Sequence, residues 1–519
     1  MSHSSTSPSD AQIQRGALVL KAAWEYRQMI ASRTLPQETI GKAKTPLCST
    51  GFKYLFHTSR IPNLVQDSYK LHDPSIYTHA VVAHRGHFFV LPLVDNQGQE
   101  YSLPALETAL RQCQIMSQQV ENQAVPWWQE LGYLTTSNRD ACATARQTLL
   151  HIPGMDEALM WLESGMLLLC LDDEMPYSMQ QRARHYWHGN ASSNRWYDKS
   201  IQLIVTRQGA LGYVGEHAMV DGMPAVGLCR HLTGRTYHEW RDEDSPRTNA
   251  LSPSTPAVRN IFEPILEKLD DDESAVSLKE LVQDAKSNFL STVDSFDLHV
   301  QSFRGYGATF IKSARFSPDA YIQMAIQLAT FRLFGGPAAT YESTQVRPML
   351  HGRTETTRTV SPASVAFCHA MQQCDINNGD NVMMMRTKKL NLLKEATESH
   401  VKYSRLASQG QGVDRHFMGL GLVANEGEEL PALLSHPLFI RSKIWRVSTS
   451  TLPGVAPGFG PVCDTGVGIG YDLQPNSCAF SVSSLKEHGW TEPLCHFLEE
   501  ALLEMRDLIE LDSISRSKL

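Results

Sequence analysis

A polar, proline-rich stretch in the middle of the chain constrains its fold more than any other feature. Residues 241–274 contain Arg241 to Pro246, Leu251 to Pro256 and Leu269 to Ser274, dense in Asp, Ser and Pro. Proline removes backbone donors and an acidic run stays solvated, so this stretch predicts a surface connection between two lobes. With 519 residues, 42% of them apolar, the chain is long enough for two large units. The expected organisation is a disordered tail over 1–14, an N-terminal lobe over 15–260 and a C-terminal lobe over 261–516.

Apolar spacing on both sides of the break predicts mixed α/β structure. Leu18, Leu20, Ala23, Trp24, Tyr26, Met29 and Ile30 have helical spacing within 15–32, whereas 87–94 and 202–206 read as strands. Ser317, Pro318 and Asp319 form a helix start, Ile322, Ala325, Ile326 and Ala329 mark one face, and Gly335 to Pro337 stop it. The densest apolar stretch, Ala158 to Leu171, is interrupted by Glu163, Ser164 and Gly165, short of the ~18–20 residues that span a bilayer.

A net charge of −8 excludes a nucleic-acid protein by bulk charge, though not a local basic site for one phosphate-bearing molecule. The ten cysteines are scattered without metal-ligand spacing and read as reduced packing residues. The N-terminus, Ser-rich with an early acid, has no apolar signal region. The chain ends Ser517-Lys518-Leu519, a receptor-read peroxisomal address, so the expected location is the peroxisome and the import receptor an expected partner.

The candidate for chemistry is His217. The segment from Gln202 to Gly222 reads as a hairpin whose second strand ends at His217, followed by Asp221 and Gly222. A neutral imidazole at a strand end can take a proton from an alcohol near pH 7 without a metal. Taken alone, the segment equally suits a packing histidine and a turn aspartate.

His-xxx-Asp-Gly resembles the motif of the CoA-dependent acyltransferases, among them chloramphenicol acetyltransferase. Further blocks narrow the resemblance to the carnitine/choline acyltransferase family: Ser59 to Pro62, Gly86 to Val90, Leu134 to Asp140, Asn194 to Lys199, Thr340 to Ser343, His351 to Thr356, Asp414 to His416, Ser448 to Ser450 and Phe459 to Pro461. Within that family the chain resembles a carnitine O-acyltransferase of the fungal peroxisomal type, without the roughly hundred residues that typically precede the block at 15–32. The resemblance implies a two-lobed α/β fold, each lobe like chloramphenicol acetyltransferase, with an active-site tunnel between the lobes.

It also implies roles. His217 is the base, Asp221 supports it, and Ser450 donates to the oxyanion. Lys312, Ser313, Arg315, Ser317, Asp319 and Thr451 bind CoA. Two cations before a helix N-terminus suit a phosphate, although a solvated helix start reads the same way. Tyr341, Ser343, Thr354 and Arg415 bind carnitine, a planar guanidinium suiting its carboxylate; choline has none. No metal and no bound cofactor are implied; coenzyme A or acyl-CoA is a co-substrate.

Three positions depart from the family pattern. Ala308 stands where a second phosphate-binding lysine is usual, with Arg304 or Arg315 as possible substitutes. Thr451 replaces Gln. The run Val455 to Gly458 before Phe459 is short and has no plug, so a medium or unusual acyl group is as credible as acetyl. Two alternatives therefore stand beside carnitine acyl transfer: a repurposed acyltransferase acting on another alcohol or carrier, and a non-catalytic acyl-CoA-binding homologue.

Overall fold

A computed structural model describes residues 8–118, 124–189, 192–235, 239, 251–252, 254–269, 273–373, 380–424, 429–452, 454 and 458–517. The 241–250 part of the expected connection, residues 455–457 and the last two residues of the targeting tripeptide lie outside them. The chain divides into two compact units, Met1–Glu38 with Ser49–Val293, and Thr39–Cys48 with Asp294–Leu519.

The first unit is built on a six-stranded mixed sheet. Its strands are β1 (His79–His84), β2 (His87–Pro92), β3 (Leu168–Asp172), β4 (Ile201–Thr206), β5 (Leu211–Gly215) and β6 (Arg259–Asn260). Their spatial order is β6-β2-β1-β3-β4-β5. β1 runs parallel to β3 and β3 to β4, while the outer pairs are antiparallel. The central strands are near-continuous apolar runs because both faces are covered. Leu169, Leu171, Leu203 and Val205 meet α1 (Pro8–Ala31) and α2 (Leu103–Met116) on one side. Leu168, Cys170 and Ile204 face a second core that includes α3 (Arg139–Leu150) and α4 (Met155–Ser164). The apolar stretch 158–171 is thus the end of α4 followed by β3. Among the described residues, no helix is long and apolar enough to cross a membrane.

Two sequence expectations are corrected here. Residues 8–14 are not a disordered tail but the first turns of α1. Ile13 is 0% exposed, and the Gln12 amide donates to the carbonyls of Asp172 and Val205 at 2.8 Å each. The unit boundary falls after Val293, not after 260. Arg259 and Asn260 pair with β2, and Leu278, Val282 and Ala285 of α7 (Glu273–Ser295) lie in the first unit's core.

The second unit repeats the pattern of pairings. Its strands are β7 (Phe296–Phe303), β8 (Thr340–Gln345), β9 (Thr354–Arg358), β10 (Val447–Thr451), β11 (Val467–Leu473) and β12 (Cys478–Leu485), in the order β7-β12-β11-β10-β8-β9. Again two central parallel pairings, β8 with β10 and β10 with β11, sit among antiparallel ones. No repeat is visible in the amino acids, yet both sheets share this sequence of pairings. The core lies against α9 (Pro318–Phe334), α10 (Pro362–Gln372), α11 (Asp380–Ser408) and α13 (Thr491–Ser517). α9 was expected to bury one face. Instead every residue from Ala320 to Phe331 is buried. Its glutamines are paired: Gln327 donates to Thr340 Oγ1 at 3.0 Å, and Gln323 to Thr449 Oγ1 at 3.0 Å and Tyr471 OH at 3.2 Å.

Two stability predictions follow from this packing. Ile13→Ala leaves a cavity under the sheet and should cost about 2–5 kcal/mol, read as a lower denaturation midpoint; an unchanged midpoint would restore the tail reading. Burial also depresses the histidines of the first unit, His57 to about 3 and His72, His79 and His87 to about 4. A depressed imidazole is neutral when folded but takes a proton when unfolded. Its contribution is therefore present above about 6.5 and lost as pH falls toward 4. Denaturation midpoints should drop steeply between pH 7 and pH 5.

Candidate active site

His217 follows the end of β5 by two residues, so the strand stops at Gly215 rather than at the histidine itself. The backbone N–H of Glu216 donates to the Ser200 carbonyl at 3.1 Å. The Glu216 carboxylate accepts from Arg60 Nη1 at 3.1 Å and from the Ala218 N–H at 3.0 Å. Arg60 also pairs with Asp67 at 2.5 Å, and Asp67 with Arg139 at 2.6 Å. Arg139 reaches Asp198 at 2.8 Å, a carboxyl that burial pushes up to about 6. This chain of ion pairs clamps the turn on which the histidine stands.

The imidazole is 76% exposed. Its Nδ1 lies 2.9 Å from the Val220 carbonyl, which can only accept, so Nδ1 carries the proton and Nε2 of the neutral ring the lone pair. Asp221 Oδ1 lies 3.8 Å from Nδ1, and Asp221 is the N-cap residue of α6 (Gly222–Thr233). The aspartate thus belongs to the framework of the ring, supporting its Nδ1 side.

The second unit brings together three residues far apart in sequence. Arg415 stands in α12 (Asp414–Leu422). Its Nη2 donates to Tyr341 OH and to Thr354 Oγ1, both at 3.4 Å, and its Nε donates to the Thr354 carbonyl at 3.1 Å. An exposed guanidinium flanked by two hydroxyls is a fitted receptor for a carboxylate. Its placement is built from below. Arg358 forks onto Asp414 at 2.7 and 2.9 Å, donates to the Ser442 carbonyl at 3.1 Å, and stacks over Trp445 at 4.7 Å. Trp445 in turn meets the Tyr341 ring edge-on at 5.7 Å. The Glu355 carboxylate accepts from the Arg415 N–H at 3.3 Å, and a Cβ at Gly412 would sit 2.3 Å from Glu355 Cγ, so only glycine fits there.

Strand alternation distributes the remaining residues. Tyr341 pairs in register with Ser448, and Ser450 with Gly470. Tyr341, Ser343, Ser448 and Ser450 therefore share one face of the sheet, with Ser343 and Thr451 exposed. Glu342 and Thr449 share the opposite, helix-covered face and are buried. The loop before β11 is held on the Tyr341 and Ser448 face, Ser483 Oγ donating to the Phe459 carbonyl at 2.6 Å.

Lys312, Ser313 and Arg315 connect α8 (Ala308–Ser313) to α9, all three exposed. Arg315 holds a left-handed backbone, φ 65°, and its N–H donates to the Lys312 carbonyl at 3.0 Å. Ser317 is the N-cap of α9 but makes no side-chain capping bond. The cations and the positive helix end thus lie close together along the chain. Asp319 is engaged differently: its Oδ1 accepts from Tyr471 OH at 2.6 Å and its Oδ2 lies 3.8 Å from His400 Nε2. His400 Nε2 is 3.0 Å from Glu342 Oε2. Burial would lower the His400 imidazole, but the neighbouring carboxylates of Asp319 and Glu342 outweigh this and raise it to about 9.

Sequence reasoning named His217, Asp221, Ser450 and the Arg415 group, but not the residues that hold them. Arg60, Glu216 and Asp414 were inside quoted segments, where a charge next to a motif residue was the available signal, and Glu355 was read beside Thr354 and Arg415. Arg358 and His400 carry no local sign, since their partners come from other elements.

Comparison with known proteins gives the family. Residues 1–500 match the family model Choline/Carnitine o-acyltransferase. The mitochondrial carnitine O-acetyltransferase of Saccharomyces cerevisiae is 29% identical over 518 residues, covering 97% of this chain and 73% of the relative. The carnitine O-acetyltransferase of Columba livia is 31% identical over 525 residues, covering 98% and 78%. The choline O-acetyltransferase of Sus scrofa is 30% identical over 527 residues, covering 98% and 78%. With the whole length of both sheets inside the matched residues, the chain is a member of the choline/carnitine O-acyltransferase family and an acyltransferase.

Proposed function

We propose that the protein transfers acyl groups reversibly between coenzyme A and the hydroxyl of carnitine. The observation that carries the choice of acceptor is the Arg415 guanidinium with the Tyr341 and Thr354 hydroxyls beside it. Carnitine offers that receptor a carboxylate, whereas choline leaves a cationic group facing a second cation, an unfavourable pairing.

In this reading His217 Nε2 removes the hydroxyl proton of carnitine. The resulting alkoxide attacks the thioester carbonyl carbon, and the Ser450 hydroxyl donates to the oxyanion. Collapse expels the CoA thiolate, which takes the proton back from the imidazolium. The Val220 carbonyl and Asp221 favour that imidazolium from the Nδ1 side. Lys312, Arg315 and the start of α9 would receive phosphate oxygens of CoA, with Ser313, Ser317 and Thr451 supplying hydroxyls.

His217→Ala should lower carnitine-dependent thiol release by about 10²–10⁴-fold while CoA affinity stays within a few-fold. Full activity in that variant would overturn the mechanism. Arg415→Ala removes charge-assisted bonds of about 1.5–3 kcal/mol, so kcat/KM for carnitine should fall roughly ten- to a hundredfold. Its activity with choline should hold or rise. Equal loss with both acceptors, or a wild-type preference for another alcohol across a panel with acetyl-, octanoyl- and palmitoyl-CoA, would reject carnitine as the substrate.

A further inference from the structure

Beneath the Tyr341 and Ser450 face of the second sheet lies a charged cluster, buried at His400 and Glu342 and partly exposed at Asp319, that the proposed chemistry does not use. The His400 side chain, in the middle of α11, is 1% exposed. Its Nε2 stands 3.0 Å from Glu342 Oε2 of β8 and 3.8 Å from Asp319 Oδ2 at the start of α9. Tyr471 OH of β11 donates to the other Asp319 oxygen at 2.6 Å. Gln323, one turn beyond Asp319, donates to Tyr471 OH and to Thr449 Oγ1, and the Thr449 hydroxyl donates to the Tyr341 carbonyl at 2.9 Å. A continuous polar path therefore joins α9, α11, β8, β10 and β11.

The two ends of this path are the two substrate segments of the preceding section. Asp319 closes the run of residues assigned to CoA. Glu342 lies between Tyr341 and Ser343, and Thr449 between Ser448 and Ser450. Because neighbours on a strand point to opposite faces, each buried member is anchored one residue from a ligand-facing one. Two carboxylates converging on one site, Glu342 buried and Asp319 partly exposed, repel unless a cation lies between them. The imidazolium of His400 is placed to be that cation, and its raised proton affinity agrees with the geometry.

We propose that His400, bridging Glu342 and Asp319, is a positioning residue that locks the CoA segment and the carnitine strand into one rigid piece, so that occupancy of either site raises affinity at the other. The inference rests on the carnitine acyltransferase reading. Breaking the bridge leaves each site's own contacts intact but lets the start of α9 shift against β8, and the coupling between the sites is what is lost.

The test is calorimetric titration of CoA into the full-length protein, with and without saturating carnitine. In the wild type, carnitine should tighten CoA binding by at least about fivefold, within the usual range of coupling. Glu342→Gln and His400→Gln should each bring that factor below twofold, while CoA affinity without carnitine changes much less. Glu342→Gln keeps the His400–Asp319 pair, so it reports even where His400→Gln fails to fold. Gln327→Leu is the control. It breaks the neighbouring Gln327–Thr340 bond between the same helix and strand, and should lower the denaturation midpoint while the coupling stays as in the wild type.

Coupling that persists in Glu342→Gln, or that is lost equally in Gln327→Leu, would overturn the proposal. The three side chains also lie close enough to hold a metal ion. One equivalent of metal retained by the dialysed protein would overturn the role of the imidazolium. CoA binding to the wild type without any carnitine effect would sink the coupling alone, whereas no CoA binding at all would sink the acyltransferase reading beneath it.

Discussion

Everything in the second unit depends on the two-residue period of its central strands. Along β8 and β10 that period sends Glu342 and Thr449 toward the helices and Tyr341, Ser343, Ser448 and Ser450 the other way. A one-residue slip in register would exchange the two sets, placing ligand hydroxyls in the core and a carboxylate on the open face. The buried polar network penalises that slip, because Glu342 has its cation partner only in the observed register. Specific polar partners under a sheet thus act as a register lock as much as a source of stability.

The first unit solves a different problem. An imidazole exposed on a turn would lose its orientation to rotamer freedom unless its surroundings were held. Here the holding is electrostatic and lies behind the turn. Arg60 of a short strand, Arg139 of α3 and the loop carboxylates Asp67, Asp198 and Glu216 link into one chain that ends on the segment before His217. The ring itself then needs only one bond, to the Val220 carbonyl, to select its tautomer. The two units place their charged networks alike, below the working face and linked to it by backbone.

Motif residues were legible because their chemistry is local: His217 with Asp221 and Gly222, the Ser448 to Ser450 run, and Arg415 beside Asp414. The helix start at Ser317 and the stop at Gly335 were also readable, since caps depend on a few adjacent residues. The all-round burial of α9 was not. Gln323 and Gln327 look like a polar face until Thr340, Thr449 and Tyr471, from strands later in the chain, become their partners. The first turns of α1 misled for the same reason, as the N-terminal segment is Ser-rich and polar while Ile13 and Gln12 are held by β3 and β4. The boundary after Val293 was hidden because a proline-rich stretch marks a change of texture, not where contacts cease.

By itself the sequence determined the class of chemistry, the family resemblance, the α/β character and a set of candidate residues, Arg415, Tyr341 and Thr354 among them, all of which follow from residue type, short spacing and resemblance. Tertiary structure alone decided that the Arg415 guanidinium reaches both hydroxyls, that Arg358 and Asp414 hold it, and that His400 stands between two carboxylates from different elements. The physical reason is distance along the chain. Propensity and periodicity act over a few residues, whereas an ion pair or a shared sheet face is set by pairing between segments that no local pattern encodes.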